Sequence, residues 1–161
     1  MASMQYDVKS AHAQSSKVVV NYRTRLKSAI VSPTTASQKN VAFANNVTKT
    51  GTYNIPGSTT CTVTITNHGL ATGDRVWLDF TSGTAVDNVY VVTVTTANQF
   101  EVTTASLTTS GNVTMYSDIL LEIDTFNATA FNVLIPGEGI LAQDGIYVGL
   151  VANVSASVIY G

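Results

Sequence analysis

The chain has 161 residues, a formal net charge of −2, one cysteine, and 11% charged residues against 45% hydrophobic ones. That length carries one domain with a full core or two very small ones, and the near-neutral balance gives no electrostatic case for nucleic acid. A lone cysteine forms no intrachain disulfide or metal cluster, and no apolar run is long enough to span a bilayer. The Thr/Val-rich, charge-poor composition favours half-buried pleated surface over helix, and no ten-residue stretch carries helical periodicity. The N-terminus lacks the charged-then-apolar pattern of an export signal, so Sec export is not expected.

The polar opening, MASMQYDVKSAHAQSS, predicts a disordered or partner-dependent arm. KVVVNYRTRL and KSAIVSP follow as two strands, ended by Pro33, which has no donor for a ladder. Arg23, Arg25 and Lys27 stand at alternate positions and therefore on one strand face. Such a basic strip either keeps an edge strand soluble or docks an acidic partner; a nucleic-acid contact is the weakest of its readings.

Charge is unevenly spread. Residues 1–48 carry Lys9, Lys17, Arg23, Arg25, Lys27 and Lys39 against Asp7 alone. Residues 117–161 carry Asp118, Glu122, Asp124, Glu138 and Asp144 with no lysine or arginine. Opposite-sign ends predict that the two segments lie side by side, within one subunit or across neighbours.

KTGTYNIPGSTT (49–60) and ASLTTSGN (105–112) have loop composition and are predicted to be hinges. Between them, CTVTIT begins a series of short strands. Val76, Leu78 and Phe80 alternate with Arg75, Trp77 and Asp79; Tyr90, Val92 and Val94 alternate with Val91, Thr93 and Thr95; Phe100 and Val102 follow the same rule. Cys61, in step with Val63 and Ile65, is expected to be a small core side chain, and His68 a turn residue packed on the next strand. Trp77, on the face it shares with Arg75 and Asp79, and Tyr90 are the candidate contacts for a ligand or glycan, against a role in subunit packing.

After the second hinge, DILLEID sets Asp118, Glu122 and Asp124 opposite Ile119, Leu121 and Ile123. That acidic face either stays solvated or arginine-paired, or holds a hard cation. Phe131, Val133 and Ile135 are stopped by Pro136-Gly137-Glu138-Gly139, and strands run from Ile146 to Tyr160. The predicted architecture is all-β: an antiparallel β-sandwich or jelly-roll-like base from 1–48 plus 117–161, with an inserted small β-barrel at 49–116. Hydrolysis would need a nucleophile, an oriented base or two convergent carboxylates, and neither His12, His68 nor Asp74, Asp79, Asp87 and Glu101 reads as such a set. The expectation is a non-enzymatic chain with no cofactor and no metal, and no membrane or nucleic-acid partner.

Two stretches resemble known families. NHGLATGDRVWL with VYVVTVTTANQFEV resembles the small β-barrel repeats of tailed-phage tail and virion proteins. Those repeats share a family with the first catalytic-cysteine half-domain of ubiquitin-activating enzymes, and the likeness concerns fold, not activity. YDVKSAHAQSS with YRTRLKSAIV, and the run from Leu120 to Gly161, resemble short proteins of marine podoviruses whose halves are joined by a glycine-rich turn. The resemblance implies a virion structural subunit, a knob or decoration protein on the capsid that docks on the major capsid protein or another virion protein. It is assembled in the host cytoplasm and completes its core as a dimer or trimer. The alternative is a tail or fibre-attachment subunit that touches host-surface glycan.

Overall fold

The computed structural model describes residues 8–125 and 127–161; all its regular elements are strands and every pairing is antiparallel. The protein is all-β. β1 (Lys9–Ala13), β2 (Lys17–Val20), β3 (Thr24–Pro33) and β4 (Lys39–Asn45) come first. β5 (Thr48–Thr64), β6 (Arg75–Asp79), β7 (Asn88–Val91), β8 (Thr93–Thr96) and β9 (Gln99–Tyr116) occupy the middle. β10 (Ile119–Thr125), β11 (Phe131–Leu134), β12 (Ile140–Ala142), β13 (Ile146–Leu150) and β14 (Val154–Tyr160) follow.

The strands form three sheets. The first has the order β1-β14-β3-β11, with β12 also on β3; the second is β10-β4-β13-β2. Alternation, shifted by one residue at an irregularity beside Lys27 in β3, explains how they pack. Leu26, Ala29 and Val31 of β3 and Ala156 and Val158 of β14 face Val41 and Phe43 of β4 and Ile146 and Val148 of β13 in one buried cluster. Burying each Val, Ile, Leu or Phe side chain contributes roughly 1.5–3 kcal/mol, so this cluster holds the two sheets together as a sandwich. The two chain ends do lie side by side: β14 pairs both β1 and β3, and β10 pairs β4. Of the predicted arm, Lys9–Ala13 is β1, with Ala13 fully buried against the sandwich, while residues 1–7 lie outside the described residues.

The third sheet, β5-β9-β6-β7 with β8 also on β9, has its own cluster, which includes Tyr53, Ile55, Val63, Val76, Leu78, Phe100 and Met115. Here the structure corrects the predicted hinges. Residues 49–60 and 105–112 are the paired halves of the two longest strands, in register from Thr48↔Tyr116 to Thr64↔Gln99. The residues that looked like loop punctuation are absorbed in irregularities between Pro56 and Thr60, where Gly57 adopts φ +79° and Pro56 escapes the demands of a regular ladder. β5 curls until its start meets its end. A Cβ on Gly51 would lie 2.0 Å from the Thr64 carbonyl oxygen, and the Lys49 ammonium donates to the carbonyls of Asn67 and His68 at 2.5 and 3.1 Å. The result is a small barrel-like module, a strongly curled five-stranded sheet wrapped on its own core.

The barrel lies on the outward face of the second sheet. Ala42 and Ala44 of β4 and Tyr147 of β13 meet Trp77, Val89 and Tyr116 in a third buried cluster. The rings of Tyr116 and Tyr147 stack at 3.6 Å and 13°. Trp77 lies against Gly149, where a Cβ would come within 2.4 Å of the indole. Small side chains on one sheet thus make the flat seat that a large ring on the other fills.

Candidate functional site

The basic strip sits where β3 begins. Arg25 and Lys27 are half-buried and Arg23 exposed, while Thr24 and Leu26 between them are buried. β12 pairs this end of β3, with Ile140 opposite Leu26 and Leu141 opposite Arg25. The turn before β12 passes close enough that a Cβ on Gly139, at φ +81°, would lie 2.4 Å from the Leu26 carbonyl oxygen. That approach lines up acceptors for all three cations. Arg23 Nε donates to Gln143 Oε1 at 2.9 Å, Arg25 Nη1 to the Gly139 carbonyl at 3.2 Å, and Lys27 Nζ to the Glu138 carbonyl at 3.0 Å. These are neutral acceptors. The strip therefore stays in register without losing its charge to a carboxylate.

The acidic segment is engaged elsewhere. Arg75, from β6, forms a bidentate pair with Glu122 of β10, its Nε 2.7 Å from Oε2, and this is the ion pair found among the described residues. The hydrogen bonds to Glu122 hold the Arg75 guanidinium above its ordinary range. Asp118 accepts from Asn45 Nδ2 at 2.6 Å where the chain passes from sandwich to barrel and back, and Asp124 is exposed. The predicted acidic face is thereby divided among separate partners. The described residues include no group of three or more metal-ligating side chains.

Trp77 and Tyr90 do not form one ligand site. On β6 and β7, Val76 is opposite Tyr90 and Trp77 opposite Val89, so the two aromatic rings point to opposite faces of the sheet. Trp77 is fully buried in the seam between barrel and sandwich, which removes it from any glycan surface. The alternation was read correctly, but the face that looked polar is covered by the second sheet. A signal for this did exist: Ala42, Ala44 and Gly149 are small residues at alternate outward positions, a surface suited to a flat ring. Tyr90 is half-buried, its phenol donating to the Val86 carbonyl at 2.6 Å and its ring edge-on to Phe80. Burial, with smaller contributions from Cys61 and Asp87, pushes that phenol up to about 12.

Cys61 and His68 occupy the places expected of them. Cys61 is fully buried in the barrel, and burial pushes its thiol up to about 11, so it carries little thiolate at neutral pH. His68 is buried in its turn, receives the Leu70 N–H on Nδ1 at 3.0 Å, places Nε2 2.8 Å from the Thr96 carbonyl and meets Phe100 edge-on. Both ring nitrogens are thus engaged with main chain, which is a structural use of the imidazole.

Asp79 and Asp87 were not singled out as a pair by sequence, yet both line a hollow of about 370 Å³ with Gln14, Ser16 and residues 150–153. Tyr147 Oη lies 3.5 Å from Asp79 Oδ2, and Asp87 Oδ1 accepts the Phe80 N–H at 2.7 Å. Burial is the main cause that raises both carboxyls above the ordinary range, and the charge of Asp79 adds to the effect on Asp87. A carboxyl raised in the folded state contributes stability that is present below its unfolded pKa and lost as pH rises through its folded one. Asp79→Asn, whose side-chain oxygen still accepts from Tyr147, is therefore expected to raise Tm at pH 7. The difference should vanish in acid, where the wild-type group is protonated in both states. Thermal melts across the carboxylate range check this; a gain that persists unchanged in acid would contradict it.

No family model matches the chain, and no curated protein matches it. Among solved structures, it is similar to a chain described as "Phage phi92 endosialidase", at 20% identity and TM-score 0.35. The likeness covers 80% of this chain and 20% of that one. The protein thus spans about a fifth of the length of that structure.

Proposed function

We propose that the protein is a non-enzymatic structural subunit of a tailed-phage particle, a decoration or knob subunit on the capsid surface. In this reading, residues 1–48 and 117–161 form a base domain seated on the major capsid protein, and residues 49–116 are a barrel module that the base carries outward. The docking strip is Arg23, Arg25 and Lys27, directed at an acidic surface of a virion neighbour. The observation that carries the reading is the state of those cations. Three positive side chains are held at alternate positions by neutral acceptors on the segments that flank β12, so their charge remains available to an outside carboxylate. The sequence resemblance to podoviral virion proteins supports the same class. A tail or fibre-attachment role is the alternative; with Trp77 enclosed, a glycan contact would have to use other barrel residues.

The test uses capsids purified without tails. The full chain is expected to co-sediment with them, and the triple variant R23E/R25E/K27E to lose about tenfold or more in affinity, as reversal of close interface charges does. Failure of the wild-type chain to co-sediment with tail-free capsids overturns the decoration role.

A further inference from the structure

The end of the sandwich that bears the strip has a hollow of about 350 Å³ lined by Lys9, Tyr22, Arg23, Arg25, Leu141 and Tyr160. Lys9 and Arg23 are exposed, Tyr22 is half exposed, and no ion pair engages a cation of this hollow among the described residues. It combines three positive charges, complementary to an acidic surface, with two phenol rings, and arginine and tyrosine are side chains enriched at interfaces. A second hollow, of about 430 Å³, lies at the start of β10 and is lined by Asp74, Arg75, Ser117, Asp118, Ile119 and Glu122. Asp124 follows on the same strand, two residues beyond Glu122, and is exposed together with Asp74.

The two surfaces belong to different sheets. The basic hollow is built by β1, β3, β12 and β14 of the first sheet and the loop before β3, the acidic one by the edge strand β10 of the second sheet and by the barrel turn before β6. Within the folded chain, no cation of the first hollow forms an ion pair with a carboxylate of the second among the described residues. The charge separation visible along the sequence is thus only partly resolved inside one molecule, since its single described ion pair uses Arg75 from the middle segment.

We infer that the basic hollow of one copy receives the acidic β10 edge of a second copy, so that the chain associates with itself through Lys9, Arg23 and Arg25 on one side and Asp74 and Asp124 on the other. The inference rests on the docking reading of the strip and names its neighbour. An exposed edge strand bearing carboxylates is also a strand protected from unselective pairing, which leaves charge, rather than backbone hydrogen bonding, to select the partner.

Sedimentation velocity of the full chain is the test. The expected result is concentration-dependent association that weakens about tenfold or more as salt rises from about 0.05 to about 0.5 M, because the contact is between exposed charges. R23E/R25E and D74K/D124K should each be monomeric when alone, with unchanged circular dichroism. An equimolar mixture of the two should associate again, because the intact acidic edge of one meets the intact basic hollow of the other. Association that resists salt and both reversals overturns the inference, as does a wild-type chain that stays monomeric throughout. Capsid co-sedimentation run in parallel separates the two readings. If R23E/R25E loses capsid binding while the wild-type chain never self-associates, the strip docks on the shell and the copy-to-copy contact is wrong; if the wild-type chain self-associates but never binds capsids, the decoration role fails by itself.

Discussion

Trp77→Ala is expected to destabilise the protein by about 3–5 kcal/mol, the range for truncating a buried large aromatic side chain. For a protein of this size that corresponds to a fall of roughly 6–20 °C in Tm. The indole is fully enclosed by Ala42, Ala44, Val89, Tyr116 and Tyr147 and lies on Gly149. None of these neighbours can fill the space, because the two alanines and the glycine are small and the tyrosine pair is already stacked at 3.6 Å. Trp77→Phe serves as the control. Its ring still covers Gly149, and it sacrifices no hydrogen bond, since the buried indole Nε1 has no partner among the described residues. Thermal melts of both variants decide the matter. Were Trp77 a surface contact for glycan, the alanine variant would keep the wild-type Tm, so the measurement also separates the buried role from the one its sequence position first implied.

The second large effect is expected at Gly51. Its backbone is not in the left-handed region, so the requirement for glycine is one of space rather than of φ. A Cβ there would lie 2.0 Å from the Thr64 carbonyl oxygen and 2.6 Å from Ile65 Cγ1. Main chain cannot swing aside as a flexible side chain can, so Gly51→Ala must part the start of β5 from its end and open the barrel. The cost is expected at or above the roughly 1–3 kcal/mol of ordinary overpacking. Gly57→Ala provides the contrast: at φ +79° it meets only Thr108 Oγ1 at 3.2 Å. That substitution should cost about 1–2 kcal/mol of left-handed strain. Urea unfolding of the two variants should place Gly51→Ala well below Gly57→Ala. Equal losses at both sites would mean that the approach of β5 to itself does not matter to stability.

The strands of the C-terminal end were legible from period-2 alternation, as in Phe131 with Val133 and in Val154, Ala156 and Val158. The pairing of the two ends was suggested by their opposite charges, although no ion pair joins them among the described residues. Lys27 meets the main-chain carbonyl of Glu138, not its carboxylate. The reason is local: the turn at Gly137 and Gly139 presents backbone oxygens to β3, and neutral acceptors satisfy an ammonium whose charge still faces water. The acidic partner of Arg75 lies 47 residues away in a different sheet, a distance along the chain that no local pattern encodes.

What the sequence by itself determined is the strand class, the alternation of strands such as β6, β7 and β14, and the roles of Cys61 and His68, because a period of two and a turn composition are local properties of the chain. What covers the other face of a strand is not local. Only the tertiary structure decided that the apparently polar face of β6 is buried, that 49–60 and 105–112 are ladder rather than hinge, and that the cations of β3 face no carboxylate among the described residues. Alternation states which side chains share a face; the sheet that arrives from elsewhere in the chain decides whether that face meets water or another layer.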